Sequence, residues 1–178
     1  MAQVKGKYIT MVASLMGTYK DARKEVDDEL FSQTGKHYNE IEPEDWYDTK
    51  WIKMFLDAYA KASPSKEYAM VTFGRQVYPA MKKDNLLPLH LTTPLDYIKF
   101  EAEGFRMDHK GTDVKPRRFI KAVDKEVLIE APAPGYQSKL YEGVYLGILE
   151  MLGIRTGKVV QTKSQEKGDN TSEFHITW

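Results

Sequence analysis

The stretch Tyr136–Leu152 constrains this chain most. Leu140, Val144, Ile148 and Leu152 recur every fourth residue, and Tyr141, Tyr145 and Leu149 widen the apolar stripe. That spacing predicts one amphipathic helix. Ser138 stands where an N-cap belongs, and Gly153 can supply the left-handed residue that ends the helix. Gly143 and Gly147 lie one turn apart, and each costs about 1 kcal/mol against alanine inside a helix. Close approach of another backbone is the gain expected to offset them. Strand-like runs flank the helix on both sides, so it is expected to lie across a small sheet.

The flanking pattern sets the fold class. Arg117 to Val123 and Glu126 to Ala131 are β-rich runs around Asp124-Lys125, a hairpin signal. Ala131-Pro-Ala-Pro-Gly135 then forbids a central strand. After the helix, Lys158 to Lys163 reads as a strand, and Phe174, Ile176 and Trp178 alternate with polar residues in another. Upstream, helical spacing dominates. Val4 to Phe31 is expected as one helical region. Residues 42–45 are expected to open a helix carrying Trp46, Trp51, Met54, Phe55 and Tyr59, with proline at its first position. Ser63-Pro64 opens another, with Tyr68, Met70, Val71, Phe73 and Val77. Thr93-Pro94-Leu95-Asp96 is a capping signal for a helix reaching Phe105. The reading is α+β: helices over roughly residues 5–106, then β-β-α-β-β with a mostly antiparallel sheet of about four strands. It is one domain, 1–178, with a helical subdomain 1–110 and an α/β subdomain 111–178.

Charge and cysteine exclude several classes of function. Lysine plus arginine, 26, equals aspartate plus glutamate, 26, so there is no bulk attraction to nucleic acid or an anionic membrane, although a local patch could still act. The absence of cysteine removes disulfides, thiolate metal sites and thiol nucleophiles, and suits a cytoplasmic setting. No apolar run approaches the roughly 20 residues of a membrane span, and Met1–Lys7 lacks the features of a signal peptide.

Motifs for catalysis are equally scarce. No glycine-rich phosphate loop follows a strand, and Gly-x-Ser-x-Gly does not occur. The histidines, His37, His90, His109 and His175, are too far apart for a local metal pair. His90 could line a cleft between Pro88 and Thr93, and His109 follows the helix ending near Phe105; a plain loop or helix-end role is the simpler reading of each. Tyr136-x-Ser138 stands out more. A proline-glycine connection delivers two hydroxyls to a helix N-terminus, a natural seat for a carboxylate or phosphate. The plainer alternative is that Ser138 only caps and Tyr136 only packs.

Several stretches together carry a family resemblance. They are Thr93–Met107, Tyr136–Gly153 and the ending Glu173–Trp178, with Val4-Lys-Gly-Lys and Phe73-Gly74 fitting as well. A helical half followed by β-β-α-β-β resembles the superfamily of heme nitric-oxide/oxygen-binding (H-NOX) domains. That superfamily also contains the 4-vinyl-reductase-like domains, a myxobacterial family of standalone proteins, to which this chain is nearest in character, and more distantly the TRAPP tethering subunits. In H-NOX domains a Tyr-x-Ser-x-Arg clamp holds the heme propionates. Tyr136 and Ser138 match it, but Leu140 replaces the arginine and its bidentate carboxylate contact. The heme-ligating histidine is expected near Gly104 to Met107, where none occurs; His109 is close but out of register.

The resemblance therefore implies a non-enzymatic small-molecule-binding or sensory domain without heme. Its ligand would be small and apolar or amphipathic, held at Tyr136, Ser138, His109 and His90, with no metal and no nucleic acid. The competing readings are a gas sensor whose heme iron is held by His109 or His90, and a protein-interaction module that holds no ligand.

Overall fold

The computed structural model describes all residues, Met1–Trp178. They form two compact units.

The first unit comprises Met1–Ala69, Asp108–Val114 and Pro134–Tyr136. Its strands are β1 (Gln3–Lys5), β2 (Trp46–Asp48) and β3 (His109–Lys110), and its helices are α1 (Gly6–Leu15), α2 (Lys20–Thr34) and α3 (Lys50–Ala62). β1 runs antiparallel between β2 and β3, with Val4 opposite both Tyr47 and His109. Two expectations are corrected here. The region Val4–Phe31 is not one helix: its first residues form β1, and Gly17, with φ +52°, breaks α1 from α2. Residues 42–45 do not start a helix, and Trp46 lies in β2; the helix begins only at Lys50. Strands of two or three residues show no readable alternation, so their pairing partners decide them rather than local pattern. The rest of the aromatic stripe behaves as core: Trp51, Phe55 and Tyr59 are buried with Ile9, Ala13 and Leu30.

The second unit comprises Met70–Met107, Lys115–Ala133 and Gln137–Trp178. It holds most of α4 (Ala69–Gly74), then α5 (Val77–Lys83), α6 (Pro94–Asp108, save its last residue), β4 (Arg118–Val123), β5 (Glu126–Glu130), α7 (Lys139–Met151), β6 (Lys158–Lys163) and β7 (Glu173–Thr177). Where one helix was expected after Ser63-Pro64, the chain instead makes a 3-10 turn, Lys66–Tyr68, and two short helices. The expected capping box of α6 is present: Thr93 Oγ1 accepts from Asp96 N–H at 3.2 Å, and Asp96 Oδ2 accepts from Thr93 N–H at 2.9 Å. Those Thr93 bonds, the backbone one foremost, hold the Asp96 carboxyl below its usual range.

The sheet is wholly antiparallel in the order β4-β5-β7-β6, with the expected hairpin turning at Lys125 in the left-handed region (φ +62°). Val127, Ile129, Val159, Phe174 and Ile176 are buried with Leu140, Val144 and Ile148 of α7. Tyr145 of α7 meets Phe174 of β7 edge-on, at 5.7 Å between ring centroids. Trp178, which the alternation sets on one face of the strand with Phe174 and Ile176, lies past the end of β7 and is half-buried. The glycines of α7 do admit another backbone. A Cβ on Gly143 would sit 2.2 Å from the Val71 carbonyl oxygen, and one on Gly147 would sit 2.6 Å from that of Arg75. α4 and the turn after it therefore lie directly on α7.

Candidate functional site

The N-terminus of α7 is where sequence reasoning places an anion seat, and the seat is already filled. Ser138 precedes α7 with φ −65° and ψ −20°. That is helical geometry, not the extended backbone of a capping residue, so the expected cap is not made: the hydroxyl bonds no backbone N–H of α7. It turns instead into a polar cluster in which Ser138, Ser164 and Ser172 are buried and Glu166 reaches in from the surface. Glu166, on the 3-10 turn Gln165–Lys167 that follows β6, accepts from the Ser138 backbone N–H through Oε1 and from the Ser138 hydroxyl through Oε2 at 2.8 Å. Gln161 Nε2 (2.9 Å) and the Ser172 hydroxyl (2.8 Å) both donate to Ser138 Oγ. One donation and two acceptances use the full capacity of a serine hydroxyl.

Ser164 adds a further donor to Glu166 Oε2 at 2.8 Å. Burial by itself would raise the Glu166 pKa. The bonds from the Ser138 and Glu166 backbone N–H groups and from the Ser164 and Ser138 hydroxyls outweigh it and hold the carboxyl below its usual range. The helix dipole acts in the same direction, since a carboxylate is favoured at a helix N-terminus.

A second cluster in the same unit is buried. The Arg117 side chain, 1% exposed, pairs with Glu101 of α6 at 2.9 Å and donates to the Pro132 carbonyl at 2.8 Å. Its guanidinium carbon lies 3.6 Å from the Phe105 ring centroid and 4.0 Å from that of Tyr141, a cation–π sandwich. Tyr145 donates at 3.2 Å to Glu101 Oε2, which Arg117 Nε also reaches at 3.4 Å. Burial pushes the Tyr145 hydroxyl pKa well up, with the Glu101 carboxylate adding to it. Burial alone would lower the Arg117 pKa, but the Glu101 carboxylate reverses that and keeps the cation charged. Every charge here is matched, so the cluster organises a core.

Of the other expected site residues, Tyr136 and His109 belong to the first unit and His90 to the second. Tyr136 is half-buried and belongs to the first unit, so the Tyr136-x-Ser138 motif is divided between the two units. His109 is buried on β3 against the Tyr8 ring, at 5.2 Å between centroids, where Tyr8 also donates to Asp108 at 3.1 Å. His90 is exposed on the loop between α5 and α6. No group of three or more histidine, aspartate or glutamate side chains could hold a metal ion. Sequence reasoning missed Glu166, Gln161, Ser172, Glu101 and Arg117. One signal was available: Gln161 shares the inward face of β6 with Val159, and an inward polar residue needs a partner.

The fold has solved counterparts. The H-NOX protein from S. oneidensis in the Fe(II)NO ligation state superposes with a TM-score of 0.67 at 10% identity, covering 97% of each chain. The Fe(II) unliganded H-NOX protein from K. algicida gives 0.61 at 14% identity, covering 97% of this chain and 95% of that one. The solution structure of the H-NOX from Shewanella woodyi in the Fe(II)CO ligation state gives 0.61 at 13%, covering 97% and 93%. The chain has an H-NOX-like fold. No protein-family model matches it, and no curated protein matches its sequence.

Proposed function

We propose that this chain is a non-enzymatic, small-molecule-binding sensory domain of H-NOX-like fold that works without heme. One observation carries the reading: the Glu166 carboxylate occupies the Ser138 seat at the start of α7. A heme propionate brought to Ser138 would meet a like charge and a hydroxyl with no bonding capacity left. Leu140, at the place of the clamp arginine, is buried and supplies no cation. Residues Gly104 to Met107 contain no histidine, and Phe105 among them is committed to Arg117. The residues present do not fit heme.

The similar solved structures are H-NOX proteins in Fe(II) states, and this reading takes their fold without their cofactor. The ligand it calls for is small and apolar or amphipathic, because binding pockets are predominantly apolar with a few polar groups. The heme reading would have to use His109, the one buried histidine. No helix of the chain is long and apolar enough to cross a membrane. Native mass spectrometry of the purified chain tests the proposal. A bound small molecule of non-heme mass is expected. The mass of heme would overturn the reading, and a ligand-free chain that captures a protein partner would move it to the interaction class.

A further inference from the structure

The loop between α5 and α6 presents apolar side chains in a way that its own turns do not require. α5 ends in a double reverse turn. Asn85 takes the left-handed conformation (φ +56°), its N–H donates to the Lys82 carbonyl at 3.2 Å, and the Leu86 N–H donates to the Met81 carbonyl at 2.9 Å. In such endings the residue after the left-handed one commonly packs its apolar side chain back onto the last helical turn. Leu86 is instead 63% exposed. A second turn follows, closed by the Leu91 N–H donating to the Pro88 carbonyl at 3.3 Å, and Leu89 inside it is 100% exposed. The capping box at Thr93 fixes the far end. Two leucines are thus held out in water by a hydrogen-bonded backbone.

The charge at the base of the loop is weighted positive. Lys82 and Lys83 are exposed at the base of the loop and form no ion pair, whereas Asp84 is the single acid between Lys82 and Leu91. We propose that this loop docks the chain onto an anionic lipid surface, with Leu86 and Leu89 entering the acyl boundary and Lys82 and Lys83 at headgroup level. The arrangement suits lipid better than a protein partner. A protein hot spot draws on well-packed aromatic and arginine anchors, and this loop has none; an acyl boundary accepts single projecting leucines without shape complementarity. The contact is independent of any bound ligand.

Sedimentation of the full chain with large vesicles tests it. The chain should pellet with vesicles containing phosphatidylserine and much less with phosphatidylcholine alone, and added salt should release it. Leu86→Ser with Leu89→Ser should reduce the bound fraction by about tenfold or more. Lys82→Gln with Lys83→Gln should reduce binding to the anionic vesicles by about tenfold and leave the weak neutral binding unchanged. All four residues are exposed, and unchanged circular dichroism confirms the variants are folded. A wild-type chain left in the supernatant with both vesicle types would overturn the proposal, as would a double-leucine variant that binds normally. Concentration-dependent self-association without vesicle binding, lost on Leu89→Ser, would assign the loop to a second copy and overturn it too.

Discussion

Glu166 accepts hydrogen bonds from both the backbone N–H and the hydroxyl of Ser138, across 28 residues of sequence. The chain thereby supplies its own carboxylate to the N-terminus of α7. Glu166→Ala should leave the Ser138 N–H and the surrounding hydroxyls short of an acceptor and destabilise by about 1–3 kcal/mol. It should also let added acetate recover part of the loss by occupying the vacated seat. Urea midpoints with and without acetate check this; a midpoint unchanged by the substitution would show that the bonds contribute nothing.

The same carboxyl predicts an acid limb. Its folded pKa is depressed, so its contribution is fully present above the unfolded glutamate value, about 4.3, and is lost as pH falls through the lower folded value. Melting temperature should therefore fall below about pH 4, and Glu166→Gln should make that fall shallower. Superimposable pH profiles for the two proteins would contradict it.

The contact between α4 and α7 predicts intolerance of side chains on one helix face. A Cβ at Gly143 would lie 2.2 Å from a backbone oxygen, which cannot swing away as a side-chain end can. Gly143→Ala and Gly147→Leu should each destabilise by about 1–3 kcal/mol or more through overpacking. An unchanged denaturant midpoint in either variant would show the face to be free.

Arg117 and Glu101 form a buried pair, and breaking one side should be worse than removing both. Arg117→Met strands the Glu101 carboxylate and should destabilise by about 3–5 kcal/mol, while Arg117→Met combined with Glu101→Leu should recover much of that. A double-mutant cycle gives the coupling; additive effects would mean the pair does not act as a unit.

Legibility followed the range of the interactions. The α6 capping box, the hairpin at Lys125 and the close-packed glycines of α7 are local or periodic signals, and they are where the sequence places them. β1, β2 and β3 are too short to show alternation, and their pairings join residues 3–5 to 46–48 and 109–110. The Ser138 seat was legible, but its occupant was not. Glu166 lies in a polar stretch that reads as an ordinary turn, and only the approach of that turn to α7 gives it a role. Arg117 was equally hidden, because a charged residue at the start of a strand reads as solvent-facing until Glu101 and two aromatic rings enclose it.

The central claim is that the residues of this H-NOX-like fold do not hold heme. An absorption spectrum of the protein, expressed with added heme and purified, tests it most directly. The account predicts no Soret band of stoichiometric intensity. An intense Soret band would contradict it, and His109→Ala would then show whether the one buried histidine is the iron ligand.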